Sequence, residues 1–89
     1  MAERRRVVAH GNVQGVFFRE STRKEAERRG VAGWAENLSD GTVESVFEGG
    51  ADAVDAMIAF VRGGPGHATV SSVDVFTENP EGLSRFSTR

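Results

Sequence analysis

The residues of this 89-residue chain whose type and position could do chemistry are an arginine opening a helix-like stretch and an asparagine closing a strand-like one. Arg19 ends the run Gly11-Asn12-Val13-Gln14-Gly15-Val16-Phe17-Phe18-Arg19, which joins an apolar strand-like segment to a mixed-charge helical one. Glycines there permit positive φ and close backbone approach. Successive N–H groups in such a turn can converge into an anion-binding nest. A helix N-terminus adds N–H groups without intrahelical partners and a partial positive charge. A cation in that first turn opposes the macrodipole, so Arg19 is misplaced for helix stability unless an anion lies between it and the amides. The competing reading is an ordinary turn, with Arg19 paired to a surface carboxylate such as Glu20 or Glu44.

Asn37 lies in the second informative stretch, Gly33 to Glu44. Asparagine is disfavoured in strands. Two explanations stand side by side: the turn that follows tolerates its backbone preferences, or its amide holds a water or an oxyanion. The loop is not a nucleotide-type phosphate loop, because the G-x-x-x-x-G-K-[ST] spacing and its lysine are absent, and it is not G-x-G-x-x-G.

The elements that must position these residues can be read from periodicity. Arg5 to His10 reads as a strand with Val7 and Ala9 on one face and Val8 and His10 on the other. Gly11 to Gly15 reads as loop. Phe18 to Arg29 reads as a helix carrying Glu20–Lys24 and Glu25–Arg29 pairs at i,i+4, with Phe18, Thr22 and Ala26 as its buried stripe and Gly30 as its C-terminal cap. Val31 to Leu38 and Thr42 to Glu48 read as a hairpin around Asp40-Gly41. In the second of these strands Val43 and Phe47 share a face. Asp52 to Arg62 is the clearest helix, with Val54, Met57, Ile58 and Val61 in the apolar template, Asp52 as its cap and Gly63-Gly64-Pro65 as its stop. Val70, Val73 and Val75 mark a fourth strand whose phase slips once, as a bulge would cause. Arg85 to Thr88 reads as a short fifth strand.

The order β-α-β-β-α-β is the split βαβ pattern. It predicts an α+β, ferredoxin-like sandwich: an antiparallel sheet, two helices on one face, and a short extra C-terminal strand. The length and 38% hydrophobic content suit one domain spanning residues 1–89. With no cysteine, disulfides and thiolate chemistry are excluded. The charged start of the chain lacks a signal-like apolar region, and no run approaches the ~20 apolar residues of a membrane span. These features predict a cytoplasmic protein with no membrane partner. The formal net charge of −2 opposes general nucleic-acid binding. Arg4-Arg5-Arg6 reads as a solvated strand start. Trp34, Phe47, Phe60, Phe76 and Phe86 read as core or half-buried packing, with Phe17 more exposed. Substrate stacking by Trp34 is the competing reading.

Taken together, the Gly11-to-Arg19 run, Gly33-Trp34-Ala35-Glu36-Asn37 with its asparagine eighteen positions after Arg19, and Asp40-Gly41-Thr42-Val43-Glu44 resemble the acylphosphatase family. Gly63-Gly64-Pro65-Gly66 and Arg85-Phe86-Ser87-Thr88-Arg89 fit the family's later landmarks, so the resemblance covers nearly the whole chain. It implies a metal-independent, cofactor-free hydrolase that splits small acyl phosphates into carboxylate and inorganic phosphate by direct attack of water. Carried over, Arg19 binds the phosphoryl group and Asn37 orients the water. Gly15, Val16, Phe17, Phe18 and Arg19 supply backbone donors. Ala35 replaces a larger β-branched residue, and His10 puts a titratable group where an apolar residue is common. A monomer is expected.

Two other functions compete. RNA-recognition domains share this strand order but need aromatics on exposed strands, and the first strand, Val-Val-Ala-His, has none. A non-catalytic phosphate- or anion-binding domain would keep the loop without turnover.

Overall fold

The computed structural model describes residues 2–89, and alternation of apolar side chains accounts for most of its sheet. The elements run β1 (Glu3–Asn12), α1 (Phe18–Arg29), β2 (Ala32–Asn37), β3 (Val43–Gly49), α2 (Ala51–Arg62), β4 (Thr69–Glu78) and β5 (Phe86–Thr88). They form one five-stranded sheet in the order β4-β1-β3-β2-β5. The first four strands pair antiparallel, whereas β5 joins the β2 edge parallel, with Gly33 opposite Phe86 and Ala35 opposite Thr88. The expected ferredoxin-like α+β architecture is therefore present, with a parallel strand added at one edge.

Both helices pack on one sheet face. Val7 and Ala9 of β1, Ala35 of β2, Val43 and Phe47 of β3 and Phe86 of β5 meet Phe18 and Ala26 of α1 and Val54, Met57 and Val61 of α2 in a single buried cluster. The stripe expected on α1 is the one buried, and Gly30 ends that helix in the left-handed region. The phase slip in β4 is real: His10 faces Ser72 while Gly11 faces Val70, leaving Ser71 as the extra residue.

Several local expectations are corrected. Gly11 is not loop, because β1 continues to Asn12. Its φ of 129° and the close approach of the Thr69 carbonyl, 2.3 Å from where a Cβ would sit, tie this glycine to the bulge instead. Asp52 does not cap α2; Gly50 occupies the cap position and Asp52 lies in the first turn, where its charge suits the macrodipole. Glu20 bonds Arg23 rather than Lys24, while the Glu25–Arg29 pair forms. Phe76 is 42% exposed, at the outer limit of the half-buried packing expected, with the Arg6 guanidinium 4.2 Å above its ring.

The largest correction concerns Arg4-Arg5-Arg6, which is not a solvated run. Arg4 is buried and bonds Glu48 at 2.7 Å and Glu78 at 2.9 Å. Arg6 bonds Glu78 at 2.9 Å and Glu44 at 3.2 Å. Arg4 and Arg6, two positions apart on β1, thus carry their cations onto the helix-free sheet face, opposite acids on β3 and β4. Glu48 also acts beyond this ladder. Its carboxylate accepts the N–H groups of Glu81, Gly82 and Leu83 at 2.9, 3.1 and 3.1 Å. It thereby anchors the segment that leads into β5.

Burial by itself would push the Glu48 carboxyl up. The N–H of Glu81, the Arg4 guanidinium and the N–H of Leu83 outweigh it and hold the group below the usual carboxylate value. A folded-state value below the unfolded one stabilises above the unfolded pKa, and that stabilisation is lost as pH falls through the folded value. Replacing Glu48 by Gln leaves Arg4 under-compensated and is expected to cost about 3 kcal/mol in urea unfolding at pH 7. The stability gap between wild type and variant should narrow below about pH 4. A gap that does not vary with pH would contradict this account.

Candidate active site

The loop between β1 and α1 is built to leave amides free. Gly15 (φ 71°) and Phe17 (φ 63°) are both left-handed, with Val16 between them. Phe17 is the one described non-glycine residue with positive φ, a conformation that costs about 1 kcal/mol or more in a bulky residue. It occupies the N-cap position of α1 and supplies no side-chain cap. Ser21 donates the first helical bond, to the Phe17 carbonyl. The N–H groups of Gly15, Val16, Phe17, Phe18 and Arg19 have no protein acceptor among the described residues. Such a row of donors, at the positive end of a helix, is suited to a tetrahedral oxyanion.

Two braces hold the loop. Gln14 donates through Nε2 to the carbonyls of Leu38 and Thr42, at 2.7 and 2.9 Å, which ties it to the β2–β3 turn just beyond Asn37. From the other side, His67 donates its N–H to the Val16 carbonyl at 3.0 Å. Gly66 sits so close that a Cβ there would lie 2.5 Å from the same oxygen. The His67 ring meets the Phe17 ring edge-on, 6.1 Å between centroids.

Arg19 and Asn37 come together across the resulting cleft of about 310 Å³, which is lined by Val13, Gly15, Phe17, Phe18, Arg19, Glu20, Asn37 and Thr88. Asn37 is the last residue of β2, and its side-chain oxygen is buried without a hydrogen-bond partner among the described residues. An unpaired buried acceptor is costly, and the residue that carries it lines the cleft. Arg19 makes neither of the carboxylate pairs considered from sequence, since Glu20 is taken by Arg23 and Glu44 by Arg6. Its guanidinium donates to the main-chain oxygen of Arg89 at 2.5 Å. One bond leaves most of a guanidinium's donors unused.

Residue type and spacing give no role to four residues at or behind the cleft: Gln14, Glu20 as a lining residue, Thr88 and Arg89. The last two reach the site only because β5 runs parallel to β2, and the Arg89 guanidinium lies 4.2 Å over the Trp34 ring. Trp34 is thus stacked by an arginine. His10 bonds Asp74 at 2.8 Å on the exposed face of the sheet. No cluster of three His, Asp or Glu side chains placed to hold a metal occurs among the described residues.

The fold and this cleft define a ferredoxin-like sandwich with a row of unpaired amides at the start of its first helix. The acylphosphatase family model matches residues 5–88. An acylphosphatase of Rubrobacter xylanophilus is 54% identical over 93% of this chain and 76% of its own length. One from Gloeobacter violaceus is 52% identical over 96% of this chain and 91% of its own. The crystal structure of acylphosphatase from Bacillus subtilis superposes with a TM-score of 0.93 at 36% identity, covering 100% of this chain and 99% of that one. The chain belongs to the acylphosphatase family.

The bracing makes a prediction about stability. Gln14→Ala removes both bonds from the loop to the hairpin turn and is expected to lower unfolding free energy by about 1–2 kcal/mol. Amide hydrogen exchange in residues 14–19 and 38–42 should rise together. Faster exchange confined to one of the two segments would mean that Gln14 does not couple them.

Proposed function

We propose that the cleft hydrolyses the carboxyl–phosphate bond of small acyl phosphates by direct attack of water, without a metal or a covalent phosphoenzyme. The observation that carries this reading is a row of free amides beside Arg19 in a cleft also lined by Asn37, whose side-chain oxygen is buried and unsatisfied. The chemistry fits these few groups. An acyl phosphate releases a carboxylate, the conjugate base of an acid with pKa of about 4, so departure needs no strong general acid. Phosphoryl transfer passes through a loose transition state, and catalysis is then mostly positioning and charge stabilisation.

In this reading Gly15, Val16, Phe17, Phe18 and Arg19 donate their N–H groups to the phosphoryl oxygens, and the Arg19 guanidinium adds charge-assisted bonds. Asn37 accepts a hydrogen bond from the attacking water and aims its oxygen at phosphorus. The water oxygen–phosphorus bond forms as the phosphorus–acyl oxygen bond breaks. The electron pair leaves with the carboxylate, and the water proton passes to a phosphoryl oxygen. Asn37 does not act as base, because an amide cannot. A non-catalytic anion-binding domain would also use the amides and Arg19, but it gives the Asn37 oxygen nothing to do, and relatives at about 50% identity are acylphosphatases. We further place the protein in the cytoplasm, as a monomer acting on a soluble substrate without nucleic-acid partners. The cysteine-free composition supports the location and the formal net charge of −2 the lack of nucleic-acid partners.

Benzoyl phosphate hydrolysis in the presence of a chelator tests the reading. Wild type should turn over. Arg19→Ala should lose roughly 10³-fold in kcat/KM, and Arg19→Lys should recover little of it, because an ammonium lacks the planar fork. Asn37→Ala should lose roughly 10²-fold, mainly in kcat. The rate should show no bell set by a protein group near neutrality. Phosphate binding by folded wild type without turnover would leave only the anion-binding domain.

A further inference from the structure

The rim of the cleft carries information about the acyl group, which the phosphoryl-binding groups do not. Among the described residues that line the cleft, Arg19 is the one cationic side chain, and it is engaged by the phosphoryl group in the proposed reaction, on which this inference rests. Of the remaining lining residues only Glu20 is charged, and the others are Val13, Gly15, Phe17, Phe18, Asn37 and Thr88. Phe17 is the most exposed large apolar side chain described, at 69%. Its strained backbone and edge contact with His67 fix the ring at the lip. Beyond the phosphoryl group a substrate therefore meets an aromatic surface and a carboxylate.

That carboxylate stays ionised. The hydrogen bond from Arg23 holds the Glu20 carboxyl below its usual value, and the charges of Arg23 and Lys24 act in the same direction. Arg23 does not cancel it fully, because the same guanidinium also bonds both oxygens of Glu27, at 2.9 and 2.8 Å. Two carboxylates share one cation, which leaves the trio a net negative charge, and Glu20 is the member that lines the cleft. Arg23 does not line the cleft.

We infer that Phe17 and Glu20 form a selectivity rim that favours acyl phosphates with uncharged, preferably apolar acyl groups and discriminates against those bearing a second negative charge, such as the monoacyl phosphates of dicarboxylic acids. Two like charges several ångströms apart at a solvent-exposed rim repel enough to change relative rates about three- to tenfold, less as salt is added. The effect acts on binding and encounter, so it appears in kcat/KM, chiefly through KM.

The test compares benzoyl phosphate with 4-carboxybenzoyl phosphate, which differ by one remote carboxylate. The quantity read is the ratio of their kcat/KM values, in which the intrinsic difference between the substrates cancels from protein to protein. Glu20→Gln is expected to improve the relative rate of the carboxylated substrate about three- to tenfold. Arg23→Gln, which bares Glu20, is expected to worsen it. Glu27→Gln, which lies outside the cleft, controls for helix charge and should move the ratio much less than Glu20→Gln. The wild-type preference should shrink between low and high salt. Opposite movements for Glu20 and Arg23 variants are not what loss of helix stability would give. A ratio unmoved by Glu20→Gln, with benzoyl phosphate still turned over, overturns the rim alone. No benzoyl phosphate turnover by folded wild type overturns the hydrolase reading and the rim with it.

Discussion

The constraint on which the rest of the structure depends is that a row of backbone donors must stay unpaired and yet fixed. Free N–H groups at the start of α1 would ordinarily be capped by a side chain, and here the cap position holds Phe17 in the left-handed region with nothing to offer. Left alone, such a loop would relax. It is held by Gln14 reaching the hairpin carbonyls, by His67 bonding the Val16 oxygen, and by Gly66, whose missing side chain lets the second loop come that close. The fixing of these free amides is thus a property of three loops rather than of one.

Sheet topology then decides what faces those donors. Because β3 lies between β1 and β2, the split βαβ arrangement brings the end of β2 alongside the β1–α1 loop, and Asn37 arrives with its oxygen unsatisfied. The parallel addition of β5 carries Thr88 and the Arg89 main-chain oxygen to the same end. The fold has a second helical layer on one face only, and a chain this short cannot bury a second core. Its other sheet face is covered by a ladder of ion pairs instead, with Arg4 and Arg6 answered by Glu44, Glu48 and Glu78. Glu48 links that ladder to the segment preceding β5, so the support of the site extends to the far end of the sheet.

Much of this was legible in the chain. Periodicity located both helices and all five strands, and the α1 stripe of Phe18, Thr22 and Ala26 is the one buried, because helical and strand spacing are local geometry. The β4 slip was readable for the same reason. Arg19, a cation in a first helical turn, stood out without any knowledge of the fold, and it does line the cleft. What failed were readings that needed a partner. Arg4-Arg5-Arg6 looked solvated because its acids lie on strands remote in sequence. Gly11 looked like part of the loop because the Thr69 carbonyl that crowds it belongs to β4. Glu20 chose Arg23 over Lys24 because either spacing on a helix is within reach and rotamers decide.

The sequence by itself determined the secondary elements, the family and two side chains, Arg19 and Asn37, that line one cleft, since residue type and spacing are written in the chain and act locally. Only the tertiary structure decided the parallel direction of β5, the burial of Arg4 and the closing of the cleft by Thr88. It alone set Glu20 and Phe17 together at the rim. These depend on which distant strands become neighbours, and that is fixed by the simultaneous burial of one shared core rather than by any stretch of sequence.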